Sequence, residues 1–196
     1  MKSLIIDLET LGIAQKSVIL QITAAIVDSD LSSTETFNAK LDAKAQALTG
    51  RTIEKSTLSW WESQNEEAKR RAFYPNKELD LLPIDALDAF IEFLKQNKFN
   101  AEKCFVWQRG DKDSLWLTDL FMDNGWIFDK IPFKWWKVRD IRTCVDVLGQ
   151  SSRLNGYPDN SEDLIAQIPG YAKHDAISDV NLEVLILKQC GVIGGS

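Results

Sequence analysis

Apolar residues near the start of the chain recur with a period of two, which is the spacing of a half-buried β-strand. Residues 18–28 alternate strictly, residues 34–41 alternate more weakly, and residues 2–8 form a further apolar run. Consecutive strands joined by short turns pair in antiparallel fashion. The chain is therefore predicted to begin with a three-stranded antiparallel meander.

Helical periodicity dominates the rest of the chain. Residues 82–98 place apolar side chains at the i, i+3, i+4, i+7 spacing, with Pro83 in the first turn. Similar patterns predict further elements: a helix within 56–71 capped by Ser56 or Thr57, a strand at 102–107, a helix at 113–124, a strand end and helix within 137–149, and helices at 161–168 and 174–189. This order predicts an α/β fold in which helices flank a mixed central sheet.

Length and composition narrow the class of protein. With 196 residues, of which 44% are hydrophobic, the chain is expected to form one domain over 1–196, ending in a flexible tail at 194–196. Its 23 basic and 29 acidic side chains argue against a protein that coats duplex nucleic acid by bulk charge. Three scattered cysteines indicate reduced thiols, and no apolar run is long enough to span a membrane. A cytoplasmic location is expected.

Two acids on the first strand are the first candidates for chemistry. Asp7 and Glu9 are two residues apart, so a strand places both side chains on one face. At about 4 Å, two such charges repel by roughly 4 kcal/mol at an effective dielectric constant near 20. Either both acids are solvated at a strand end, or a divalent cation with oxygen ligands lies between them.

Three later residues could join the same site. Asp113 opens a predicted helix, and Asp179 lies in the first turns of the last one, so each is either a partner of the helix dipole or a metal ligand. His174, the sole histidine, precedes Asp179 by five residues. It is either an ordinary surface or core residue, or a general base whose unperturbed pKa of about 6.5 suits neutral pH.

Aromatic and basic residues provide candidate contacts for a nucleic acid. Trp60, Trp61 and Trp107 either pack in the core or stack on bases. Adjacent Trp60 and Trp61 cannot share one helical face, so one of them is expected to be exposed or to line a cleft. The segment 130–142 interleaves lysine and arginine with tryptophan, and forms either a solvated strand edge or a track for a single strand.

Taken together, the Asp-x-Glu pair, the helix-opening Asp113 and the His-x4-Asp motif resemble those of the DEDDh exonucleases, which have a ribonuclease-H-like fold. Within that superfamily the chain is most similar to phage exodeoxyribonucleases of the DexA type and to small bacterial 3′→5′ exoribonucleases. The supporting motifs are Asp7-Leu8-Glu9-Thr10-Leu11-Gly12, Ser59-Trp60-Trp61-Glu62, Val106-Trp107-x-x-Gly110-x-x-Asp113 and Arg139-Asp140-Ile141-Arg142-Thr143. Lys112 departs from the pattern, since the family often has an aromatic residue there.

The resemblance implies a site for two divalent cations, Mg²⁺ or Mn²⁺. Asp7 would bridge both ions, Glu9 and Asp179 would complete the site of the ion that binds the attacking water, and Asp113 would serve the second ion. His174 would take the proton from the water. Thr10 and Leu11 would contact the terminal nucleotide. The predicted substrate contacts are completed by Trp60, Trp61, Trp107, Arg109, Arg139 and Arg142.

The activity that the resemblance implies is metal-dependent 3′→5′ cleavage of single-stranded DNA, with release of 5′-mononucleotides. The same chemistry on RNA, including short oligoribonucleotides, is the alternative, because the choice depends on how a protein reads the 2′-OH. A phage-encoded chain would act in the host cytoplasm. A non-catalytic module that binds nucleic acid or an adenine nucleotide is the alternative of a different class, and the presence of all five catalytic-type residues weighs against it.

Overall fold

The computed structural model describes residues 2–28 and 34–194, which form a five-stranded sheet with helices on both faces. The strands are β1 (Ser3–Thr10), β2 (Ile19–Val27), β3 (Thr34–Lys40), β4 (Phe105–Gln108) and β5 (Val138–Asp140). The helices are α1 (Ala43–Leu48), α2 (Lys55–Glu62), α3 (Glu66–Ala68), α4 (Pro83–Gln96), α5 (Asp113–Asp123), α6 (Ile141–Val147), α7 (Ser161–Ile165) and α8 (Ala176–Gln189). A π-helical stretch, Lys69–Phe73, continues α3, and 3₁₀ turns lie at Phe128–Lys130 and Trp135–Lys137.

The sheet has the order β3-β2-β1-β4-β5, with β1 in the centre. β1 and β2 pair antiparallel, as do β2 and β3, whereas β1–β4 and β4–β5 are parallel. The predicted meander and the predicted mixed sheet are both confirmed. A shift of register between Glu9 and Thr10 marks the end of regular pairing of β1 with β2.

Alternate residues of β1 face two separate cores. Leu4, Ile6 and Leu8 pack on one face of the sheet in a cluster with Phe90 of α4 and Phe121 of α5. Ile5 belongs to the cluster on the other face, which includes residues of α6 and α8. Because side chains alternate along a strand, Asp7 and Glu9 follow Ile5 onto the face that α8 covers.

The predicted cap of the second helix is wrong. α2 begins at Lys55 after Glu54, and neither Ser56 nor Thr57 caps it. Glu54 donates its backbone N–H to the carbonyl of Leu11, and its Oε1 accepts the N–H groups of Ile13 and Ala14. These contacts tie the chain to the end of β1 and thereby fix where the helix starts.

Other boundaries also differ from the prediction. The predicted helix within 56–71 is two helices, because the side chain of Asn65 accepts the N–H of Ala68 and starts α3. β4 begins at Phe105 and not at 102, since Asn100 accepts the N–H groups of Glu102 and Lys103 in a turn. The helix α1, capped by Asp42, was not predicted. Of the predicted tail 194–196, only Gly194 lies within the described residues.

None of the helices in the described part of the chain combines the length and apolarity that crossing a bilayer requires.

Candidate functional site

The first two acids of the site lie on the central strand. Glu9 is 8% exposed, and Asp7 is half-buried on the same face of β1. Burial raises the pKa of Asp7 well above its ordinary value, and Asp113 and Glu183 raise it further. Burial also raises the pKa of Glu9, with Asp179 as the next cause. The fold thus places these carboxylates close together in a buried position, where each disfavours the ionisation of the others.

Helix α8 brings a third acid to this pair. Asp179 lies in its first turn, and carboxylate oxygens of Asp7, Glu9 and Asp179 lie within 4.8 Å of one another. Asp179 Oδ1 accepts the hydroxyl of Tyr171 at 2.9 Å, and Oδ2 accepts the backbone N–H of His174 at 3.1 Å. The orientation of this carboxylate is therefore fixed by two donors from the loop that precedes the helix.

Helix α5 contributes a fourth acid to the cleft. Asp113 is the first residue of this helix, lines the cleft with Asp7 and Glu9, and is 5% exposed. Its Oδ1 accepts the backbone N–H of Leu8 at 3.1 Å, which holds the start of α5 against β1. Burial raises its pKa to about 7, although the bonds from the Leu8 and Asp113 amides lower it. The carboxyl group therefore titrates close to neutral pH.

His174 lies in the loop before α8 and lines the same cleft. Its backbone is left-handed, with φ of 65°, and its N–H donates to Asp179. The imidazole packs edge to face against the indole of Trp60, with ring centroids 4.7 Å apart. Burial lowers its pKa below 6.5, and the neighbouring Lys173 lowers it further. A neutral imidazole at pH 7 can accept a proton.

An ion pair with a fully buried carboxylate anchors the helix beside this loop. Asp175 is fully buried, caps α8 by accepting the N–H of Ser178, and accepts a bond from Arg71 Nη1 at 2.8 Å. Arg71 comes from the π-helical stretch that follows α3. This contact connects the helices after β3 to the loop that carries His174.

Sequence reasoning missed Glu183 as a member of the site. It lies one helical turn after Asp179, lines the cleft and is 2% exposed. Its Oε1 is 3.3 Å from Arg109 Nε, and burial raises its pKa to about 8. The signal was an acid at position i+4 from Asp179 in an otherwise apolar helix.

Arg109 lies in the cleft, held by contacts that its loop position did not reveal. Its Nη1 donates to the carbonyl of Gly156 at 2.7 Å, and its guanidinium lies 4.2 Å from the ring centroid of Tyr157. Arg142, the second residue of α6, also lines the cleft and lowers the pKa of Asp113. These two arginines are the predicted substrate contacts that the fold brings to the acids.

Three other predicted substrate contacts have buried side chains. Leu11 is 5% exposed and packs in a cluster with Trp61, which is fully buried, stacks on Phe73 and donates Nε1–H to the carbonyl of Thr10. Trp107 is 7% exposed and packs among the residues beneath α8. Neither tryptophan presents a free face to a base, because its ring completes a core.

The remaining predicted contacts have different surroundings. Trp60 is exposed and contacts His174, which agrees with the expectation that one of the two adjacent tryptophans lies outside the core. Thr10 donates its hydroxyl to the carbonyl of Gly12. Arg139 does not line the cleft, because its Nη1 donates to the carbonyls of Trp136 and Val138.

The donor set of this cleft fits hard divalent cations. The cleft has a volume of about 320 Å³, and carboxylates are prominent among the side chains that line it. Oxygen ligands select Mg²⁺ or Mn²⁺, whereas zinc prefers nitrogen and sulfur. Buried acids that raise one another's pKa values repel one another when ionised, and a bound cation would reduce that repulsion. The arrangement can bind cations, orient a phosphate and accept a proton.

Comparison with known proteins supports this description. Residues 2–190 match the model of the Rv2179c-like domain, described as a 3′–5′ exoribonuclease domain. The exodeoxyribonuclease of Enterobacteria phage T4 is 30% identical over 203 residues, covering 94% of this chain and 86% of the phage protein.

Two solved structures share the fold. The nuclease domain of 3′hExo, a DEDDh family member bound to rAMP, has a TM-score of 0.57 and 13% identity, and the match covers 97% of this chain and 92% of that domain. Cell-death related nuclease 4 has a TM-score of 0.57 and 15% identity, over 96% of this chain and 62% of that one. The predicted ribonuclease-H-like fold is confirmed.

Proposed function

Because the chain belongs to the family of Rv2179c-like 3′–5′ exoribonuclease domains within the DEDDh exonucleases, we propose that it removes nucleotides from the 3′ end of single-stranded DNA and releases 5′-mononucleotides. Membership of this family identifies the chain as a hydrolase, so the alternative hypothesis of a non-catalytic binding module is rejected. The proposal depends on one observation, the convergence of Asp7, Glu9 and Asp179 within 4.8 Å in the cleft that His174 also lines. One exonuclease domain would span residues 1–196.

The proposed cofactors are two divalent cations, Mg²⁺ or Mn²⁺. Asp7, Glu9 and Asp179 would hold one, and Asp7 and Asp113 would hold the other. When bound, the cations would supply positive charge that polarises the phosphate and neutralises its developing negative charge. The buried carboxylates support this assignment, because their raised pKa values mean that cations and protons compete for the same oxygens.

The proposed roles of the other residues follow from their positions. His174 accepts the proton of the attacking water, since burial keeps its imidazole neutral at pH 7. Arg109 and Arg142, which line the cleft, bind phosphate oxygens. Thr10 and Trp60, at the end of β1 and beside His174, contact the terminal nucleotide.

RNA is the second candidate substrate, because the matched family is described as an exoribonuclease family. DNA is preferred because the 30% identical relative is an exodeoxyribonuclease. Rates on end-labelled DNA and RNA of matched sequence distinguish the two. Cleavage of RNA with no cleavage of DNA would overturn the choice.

The catalytic assignment is tested with Asp7→Ala. Removing this carboxylate should abolish cleavage and leave the fold intact, because it also removes repulsion in the metal-free protein. Asp88→Ala, a change at an exposed acid of α4, is the matched control and should retain the wild-type rate. Cleavage by Asp7→Ala at the normal rate would show that strand β1 does not carry the site.

A further inference from the structure

Two adjacent tryptophans lie exposed outside the cleft. Trp135 is 67% exposed and Trp136 is 48% exposed, on the 3₁₀ turn that precedes β5. Their rings are perpendicular, at 89°, with centroids 5.6 Å apart. Aromatic rings are usually buried, because burial stabilises the fold. An exposed patch of adjacent rings therefore indicates a surface that binds a partner. Neither ring lines the cleft that holds the proposed catalytic residues.

The turn that carries these rings is held in place. Arg139 Nη1 donates to the carbonyl of Trp136 at 2.9 Å, and Lys134 Nζ lies 5.8 Å from the centroid of the Trp136 ring. A cavity of about 50 Å³ is lined by both rings and by Thr118 of α5. The aromatic surface is thus presented by a fixed backbone, which lowers the entropic cost of binding a partner.

The charge around the rings is opposite to that of the whole protein. The chain carries a net charge of −6, yet Lys130, Lys134 and Lys137 lie within five residues of the tryptophans. Lys134 pairs with Glu102 at 3.5 Å, whereas neither Lys130 nor Lys137 has a carboxylate partner within the residues that the structure describes. Positive side chains beside exposed aromatic rings fit an anionic polymer with apolar bases better than an apolar protein surface.

Helix α5 connects this surface to the cleft. Lys112, which lines the cleft, and Leu115, Thr118 and Met122 recur at helical spacing, so they follow one side of the helix. Thr118 borders the cavity beside Trp135 and Trp136. At 1.5 Å per residue, Lys112 and Thr118 are about 9 Å apart along the helix axis.

We propose that Trp135 and Trp136 stack on bases of the substrate strand to the 5′ side of the cleaved bond, beyond the nucleotides held in the cleft, with Lys130 and Lys137 at its phosphates. The strand would leave the cleft past Lys112 and run along the outer side of α5. The inference rests on the proposed exonuclease function and adds a second contact region to it. With this second contact region, the affinity of the protein for a single strand would increase with the length of the strand.

The test compares KM for 5′-labelled single strands of two and of eight nucleotides, in the wild type and in the double variant Trp135→Ala/Trp136→Ala. For the eight-nucleotide strand, KM should rise about 5- to 150-fold per stacked base that is lost, with kcat unchanged. For the two-nucleotide strand, both constants should stay at wild-type values. Trp135→Phe/Trp136→Phe should recover much of the lost affinity, and Tyr74→Ala, at another exposed aromatic residue, should change neither constant.

Three outcomes would overturn the inference, and one of them identifies a different partner. Equal losses on both lengths would mean that the tryptophans act on the catalytic site or on the fold. Wild-type KM on the eight-nucleotide strand would mean that they do not bind the substrate. A wild-type dimer that the double variant converts to monomer, measured by light scattering without a change in KM, would assign the surface to a second copy. If the wild type cleaves neither strand, the proposed function itself fails.

Discussion

Replacing Asp113 by Asn should stabilise the protein in the absence of metal. The side-chain oxygen of the new amide can still accept the N–H of Leu8, so the substitution keeps the 3.1 Å contact and removes only the charge. Burial raises the pKa of Asp113 from its ordinary value of 3.8 to about 7. Each pKa unit corresponds to about 1.4 kcal/mol, so ionised Asp113 destabilises the fold by about 4 kcal/mol.

The sign and the pH range of this effect follow from the two pKa values. Below about pH 4 the carboxyl is protonated in both the folded and the unfolded chain, so the substitution adds little to the free energy of unfolding. Between about pH 4 and pH 7 only the unfolded chain releases the proton, so the wild type becomes less stable as pH rises. Above pH 7 both states are ionised and the gain levels off at about 4 kcal/mol.

Thermal or urea unfolding in EDTA at pH 4, 6 and 8 measures this gain. For a chain of this length, about 4 kcal/mol corresponds to a rise of about 8–16 °C in Tm at pH 8. Asp88→Asn, at an exposed acid of α4, is the control and should show no such pH dependence. A variant at Asp113 that is less stable than the wild type at pH 8, or a gain independent of pH, would refute the electrostatic reasoning.

Three further predictions address the other groups of the site. Mn²⁺ at one hundred times its dissociation constant should stabilise the wild type by about 2.7 kcal/mol, and a melting curve unchanged by millimolar metal would contradict a carboxylate cluster. His174→Ala should lower kcat about 10²- to 10⁴-fold with Mn²⁺ affinity retained. Since burial lowers the pKa of His174, the ratio of the wild-type rate to the variant rate at saturating Mn²⁺ should fall only below pH 6.5. Tyr171→Phe removes the hydroxyl that donates to Asp179 and should weaken Mn²⁺ binding about 10- to 100-fold by calorimetry; undiminished affinity would mean that this bond does not orient the ligand.

Local periodicity predicted the parts of the fold that depend on near neighbours in sequence. The alternation of β1 was enough to place Asp7 and Glu9 on one face. Helical spacing separated Trp60 from Trp61, but it could not say which ring is buried. That choice depends on Phe73 and on the carbonyl of Thr10, which the fold brings to Trp61 from other elements.

Contacts between distant segments account for what the sequence did not reveal. Glu183 and Arg109 are 74 residues apart, and each in isolation has the pattern of a solvated charge. Trp107 looked available for stacking because the depth of a short strand cannot be read from its own residues. It is buried because β4 lies between two parallel strands and α8 covers that face of the sheet.

The ion pair between Arg109 and Glu183 has a consequence for the charge of the site. Desolvation of a buried ion pair can cost more than the attraction returns, so the presence of this pair is weak evidence that it stabilises the fold. When ionised, the carboxylates of Asp7, Glu9, Asp113, Asp179 and Glu183 and the guanidinium of Arg109 have a net charge of −4. Asp111, Lys112, Arg142 and Lys173 also line the cleft and reduce this to −2, so two divalent cations would give the cleft a net positive charge that suits a phosphate. Burial raises the pKa of Glu183 to about 8, so Glu183 would neutralise Arg109 only when it is ionised, above that pH or beside a bound cation.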